Sequence, residues 1–147
     1  MIKGGEAMSS KTATYTGFEF EVEGFPALAI INKNLADKTV QAGYPTAVLI
    51  EIIPDTYNEF GHPEEKEYDY LLDVEKKMIE YLEEQTATVH VGHTTAFRKR
   101  EIIFYTKEVD KVDGFLNYYL STIERENFYE MEADPEWNNV SAFYELL

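Results

Sequence analysis

Residues able to do acid–base or ligand chemistry gather in one stretch of this 147-residue chain, residues 89–105, V-H-V-G-H-T-T-A-F-R-K-R-E-I-I-F-Y. It holds two of the three histidines, His90 and His93, and the basic run Arg98-Lys99-Arg100. H-x-x-H suggests a metal site. On a regular strand, however, an odd separation points two side chains to opposite faces, so only the turn expected at Gly92 could bring them together. His62 lies in a distant loop, and a metal needs three or four converging ligands. No metal site is therefore expected.

The basic run has two readings. Between residues 86 and 107 there are four basic residues and one acid, while the flanking segments are strongly acidic. Arg98 and Arg100 therefore suit an anion-binding or partner-binding hairpin. The plainer reading, favoured on charge balance, is that they neutralise acids on neighbouring elements. Glu51 is a carboxylate inside the apolar run T-A-V-L-I-E-I-I. Half-buried and unpaired, it would have a raised pKa and suit a general acid or base, or a polar anchor for a ligand. The plainer reading is an open-face carboxylate paired with His90 or Tyr105.

Other chemistry is missing. There is no cysteine, hence no thiolate nucleophile, disulfide or Cys-based zinc site. No serine lies in a nucleophile elbow and no glycine-rich loop suits a phosphate. No catalytic residue is assigned and no cofactor is expected.

These side chains need elements to position them. Residues 15–23 alternate, with Phe18, Phe20 and Val22 on one face and Glu19, Glu21 and Glu23 on the other, the pattern of a half-buried strand. Gly24-Phe25-Pro26 breaks it and residues 27–31 form a second strand. Residues 32–44 read as a loop with a helical turn. Residues 46–53 have the near-continuous apolar character of a central strand. Residues 63–84 are the clearest helix, with Pro63 at its first position, acids in its first turn and Tyr68, Leu71, Leu72, Ile79 and Leu82 as the buried stripe. Strands follow at 86–91 and 100–106, joined by a turn over 92–97. A second helix spans 109–126 and a last strand 128–132. Asp134-Pro135-Glu136-Trp137 then starts a short terminal helix, with Asp134 as N-cap and Trp137 docking it.

Apart from the N-terminal hairpin and the terminal helix, the order is strand, helix, strand, strand, helix, strand. That is the α+β, ferredoxin-like split βαβ pattern. Right-handed crossovers put both helices on one face of an antiparallel sheet. Strand 46–53 then sits between 100–106 and 128–132, and the hairpin adds strands to the sheet or covers its open face. Val48, Ile50, Ile52, Val89, Val91, Ile102 and Phe104 are expected to face the helices. Leu49, Glu51, Ile53, His90, Glu101, Ile103 and Tyr105 are expected on the other face, which would bring Glu51, His90 and Tyr105 together. A one-residue slip reverses such an assignment.

Length suits one domain over 15–147, preceded by a small, polar, aperiodic segment, 1–14, expected to be disordered. Lys3-Gly4-Gly5 can be encoded by codons resembling a bacterial ribosome-binding site. Met8 is therefore a candidate native start, an idea that Met1 retained on the natively expressed protein would exclude. The net charge of −15 repels phosphate backbones and anionic membranes, so neither nucleic acid nor membrane is an expected direct partner. No apolar run approaches a membrane span and no signal peptide is evident, so a cytoplasmic location is expected.

The run from Val91 to Tyr105, together with the terminal D-P-E-W and Tyr144, resembles the bacterial domain-of-unknown-function 695 family. Val91-Gly92, Thr94, Arg100, Phe104-Tyr105 and Asp134-Pro135-Trp137 match its pattern. The small glycine usual after the turn is replaced around Ala96-Phe97. That family's fold is in turn remotely similar to the regulators of ribonuclease E activity, type B, small acidic α+β proteins that bind and inhibit the enzyme. The resemblance implies a binding role rather than catalysis.

The reading that follows is a non-enzymatic bacterial regulatory, inhibitor or immunity-type domain that binds a basic protein partner. Two alternatives stand beside it. One is a small-ligand binder or unrecognised hydrolase using Glu51, His90 and Tyr105, with Arg98 or Arg100 holding an anion. The other is a structural homodimer joined by the open sheet face.

Overall fold

The computed structural model describes residues 13–147. The expectations for the segment before Ala13, including the choice of start, lie outside the described residues. Ala13 packs against the main core, and the Thr14 carbonyl accepts a hydrogen bond from the Lys33 amide at 2.8 Å.

The protein is α+β. Six strands run β1 (Tyr15–Val22), β2 (Phe25–Asn32), β3 (Thr46–Ile52), β4 (Thr88–Ala96), β5 (Lys99–Thr106) and β6 (Asn127–Ala133). Among the described residues the α-helices are α1 (Lys38–Gln41), α2 (Glu65–Gln85), α3 (Val109–Thr122) and α4 (Ser141–Glu145), with a 3-10 turn at Lys33–Leu35 before α1. The strands form one sheet in the order β1-β2-β4-β5-β3-β6, with every pairing antiparallel. As expected, β3 lies between β5 and β6, and the hairpin extends the sheet by pairing β2 with β4. No helix among the described residues is long and apolar enough to cross a membrane.

Each sheet face has its own core. Leu71, Val74, Met78, Ile79 and Leu82 of α2 and Val112, Leu116 and Leu120 of α3 pack on Val48, Ile50, Ile52, Ile102 and Phe104. On the opposite face Ala29, Ile31, Ala47, Val91, Ile103 and Tyr105 are covered by Leu35, Trp137 and Val140. That second face is thus not helix-free, because the segments around α1 and α4 close part of it.

Several boundaries differ from those predicted. Glu23 and Gly24, both at positive φ, make a two-residue turn of the kind that suits hairpin twist, so β2 begins earlier, at Phe25. Pro63 precedes the N-cap position of α2, held by Glu64, instead of opening the helix. Helix α3 stops at Thr122, short of the expected 126. The terminal helix starts at Ser141, not at Asp134. Trp137 has φ 57°, outside the helical region, so residues 134–139 form turns. Asp134 still caps them, accepting from the Asn138 and Asn139 amides at 2.9 and 3.0 Å.

Candidate functional site

The main departure lies at Gly92. The expected turn is instead the interior of β4, and the chain reverses at Phe97 and Arg98, which have φ of 51° and 63°. Gly92 is required for a different reason. Its φ is +150°, and a Cβ there would sit 1.8 Å from the Ile30 carbonyl oxygen on the adjacent strand. Glycine inside a strand commonly marks such a close approach or a bulge. Here it marks both: His90 pairs with Phe104, Gly92 with Ile103 and His93 with Ile102, so Val91 is the extra residue. A bulge adds one residue without a partner and flips the alternation beyond it. His90 and His93 consequently share the helix-side face. Val89 and Val91 turn to the second face, the reverse of the expectation for His90 and for both valines.

Both histidines meet Glu75, a fully buried carboxylate of α2. His90 Nε2 lies 2.6 Å from Glu75 Oε2, and the Tyr15 hydroxyl lies 2.6 Å from His90 Nδ1. One proton assignment satisfies this chain: Tyr15 donates to Nδ1 while Nε2–H donates to the carboxylate. His93 Nδ1 lies 2.8 Å from Glu75 Oε1, close in distance but outside hydrogen-bond geometry, so neither atom has a hydrogen-bond partner among the described residues. Burial opposes charge on Glu75, yet His93 and His90 hold its carboxyl well below the usual carboxylate range. Burial, together with Arg100, pushes His93 down and favours its neutral form, against the pull of Glu75. Burial pushes the Tyr15 phenol up, with Glu75 adding to the effect, so it stays protonated.

Arg100 completes the cluster from β5. Its side chain is fully buried. Its Nη1 is 3.7 Å from Glu75 Oε1 and its guanidinium carbon 5.3 Å from the centre of the Tyr68 ring. None of its three nitrogens has a hydrogen-bond partner among the described residues. Arg98 is elsewhere, exposed at the β4–β5 turn with its guanidinium 4.8 Å from the Tyr57 ring.

Glu51, His90 and Tyr105 are not brought together. Tyr105 is buried on the second face, stacked on Trp137 with ring centres 4.0 Å apart, and donates to Asp134 Oδ2 at 2.6 Å. Burial and that carboxylate push its phenol up. Glu51 lies on the uncovered part of the same face, 3.1 Å from Lys99. Directly opposite it on β5 is Glu101. Burial and then the Glu51 charge push the Glu101 carboxyl up, with Glu130 adding to the effect and Lys99 opposing it. Two shallow hollows, of about 250 and 210 Å³, flank this pair. Leu49, Phe128 and Glu130 line the first, and Thr94, Phe97 and Lys99 the second.

Glu75 is the residue that sequence reasoning missed. It lies four residues from both Leu71 and Ile79, on the apolar stripe of the helix, and a carboxylate there signals a buried partner. Among the described residues no group of three or more His, Asp or Glu is arranged to hold a metal ion. Glu75 and the histidines instead contact one another at 2.6–2.8 Å.

A family model described as a family of unknown function (DUF695) matches residues 15–144. No curated protein and no solved structure matches the chain.

Proposed function

The chain belongs to the DUF695 family, and from that premise we propose that it is a non-enzymatic protein-binding domain whose uncovered sheet face docks a basic protein. We assign β3 to β6 with α2 and α3 to the ferredoxin-like split βαβ class. The strand order β4-β5-β3-β6 and the packing of both helices on one face support that assignment. The remote resemblance to regulators of ribonuclease E activity fits a regulatory or inhibitory role.

The observation that carries the docking reading is the pairing of Glu51 with Glu101 across β3 and β5. Like charges directly opposite in a ladder destabilise a sheet, and here a third carboxylate, Glu130, adds to the repulsion on Glu101. A cationic surface would relieve that repulsion. Around the acids stand apolar groups, including half-exposed Phe128 at 53% and partly covered Leu49, so an apolar centre is combined with a charged rim. Two copies stacked through this face would oppose carboxylate to carboxylate, which disfavours a homodimer there.

The test is an NMR titration of the full chain with a peptide of alternating lysine and leucine. Shifts should concentrate at Leu49, Glu51, Glu101, Phe128 and Glu130 and weaken with salt. Shifts spread along the acidic outer face of α2, or none, would overturn the reading.

A further inference from the structure

We propose that Arg100 anchors a binding site for a small carboxylate, enclosed between β5, β4 and α2 on the face opposite the docking surface. The buried Arg100 guanidinium has Nε, Nη1 and Nη2 without hydrogen-bond partners among the described residues. A planar fork of this kind matches a carboxylate with two parallel N–H···O bonds. Leaving a buried cation without such bonds is costly.

Glu75 does not fill the role. Its Oε2 is engaged by His90 at 2.6 Å, while Oε1 has His93 Nδ1 at 2.8 Å outside hydrogen-bond geometry and approaches Arg100 no closer than 3.7 Å, beyond a charge-assisted hydrogen bond. Five buried polar atoms of this cluster therefore have no hydrogen-bond partner among the described residues: the three Arg100 nitrogens, Glu75 Oε1 and His93 Nδ1. Donors outnumber acceptors, which selects an accepting guest. The nearby Glu75 charge repels a dianion such as phosphate about twice as strongly as a monoanion, so a singly charged carboxylate is the better guest. Tyr68, 40% exposed, has its ring 5.3 Å from the guanidinium carbon and stands beside this position.

The chain has three arginines, Arg98, Arg100 and Arg125, so their Nε–H groups give a short ¹⁵N spectrum. Arg100→Lys assigns the buried signal. Formate and acetate should shift that signal in a saturable way, while chloride at equal ionic strength should not. Were Arg100→Lys not to fold, Arg98→Lys and Arg125→Lys assign the same signal by elimination. An unmoved Arg100 signal, an equal response to chloride, or a stronger response to phosphate than to formate would each overturn the proposal.

Discussion

His90 and His93, three residues apart on one strand, touch opposite oxygens of the same carboxylate, Glu75, at 2.6 and 2.8 Å. Regular strand geometry forbids this, and the single extra residue at Val91 permits it. The whole buried network thus depends on a local backbone feature that is itself held by Gly92.

Gly92→Ala should therefore be severely destabilising. The added Cβ would meet backbone, the Ile30 carbonyl oxygen, at 1.8 Å, and the positive φ is one that L side chains rarely adopt. Strain of this kind costs about 1–3 kcal/mol before the clash is counted, so a total loss above ~3 kcal/mol is expected in urea unfolding. Gly114→Ala is the control. Nothing lies within 4 Å of a Cβ there, and within α3 the change should stabilise by about 1 kcal/mol. Equal, small effects at both positions would show that the bulge does not need glycine.

The same feature explains what can be read from sequence. Strand and helix identities follow from apolar period, and the central place of β3 follows from its unbroken apolar run. The faces of β3 and β5 also follow, because both strands are regular. The face of His90 does not, since one bulged residue inverts the alternation, and a glycine in close approach to a neighbouring strand looks in sequence like a turn glycine. Tyr105 lies on the face its alternation predicts, but its cover comes from Trp137 in a non-helical turn, which an N-cap reading of Asp134-Pro135 does not foresee. Glu75 escapes notice because a carboxylate on a charged helix looks solvated until its spacing from Leu71 and Ile79 is counted.

Stability should fall with acid in two steps. His93 is held below its ordinary value of 6.5 in the fold, so the unfolded chain binds its proton first. Its contribution is fully present above that value and declines as pH drops below it. Glu75 is held below its ordinary 4.5, so its contribution is present above that value and is lost at lower pH as the folded carboxyl titrates. The urea midpoint of the native chain should thus decrease between about pH 7.5 and 5, a tenfold difference in proton affinity between folded and unfolded chain being worth about 1.4 kcal/mol. His93→Gln should flatten this first step and also shrink the second, because His93 helps to hold the Glu75 carboxyl down. A native midpoint that is constant over that range would contradict a neutral His93.

Glu101→Lys should stabilise the fold and weaken docking together. Burial and then the Glu51 charge push the Glu101 carboxyl up, so ionising it opposes folding. Lysine at this position would face Glu51 across the ladder, replacing a like pair by an opposite one and gaining about 0.5–1 kcal/mol. Lys99, already 3.1 Å from Glu51, limits the gain, so Glu101→Gln should recover a smaller part of it. A docking surface for a basic partner predicts the opposite order for binding. The lysine-leucine peptide should bind the native chain best, Glu101→Gln less and Glu101→Lys least, with the differences shrinking at high salt. Urea unfolding and peptide titration on the same three proteins separate the two effects. If stability rose in the substituted chains while peptide affinity stayed constant, the carboxylate pair would be a tolerated defect of the sheet and the docking surface would lie elsewhere.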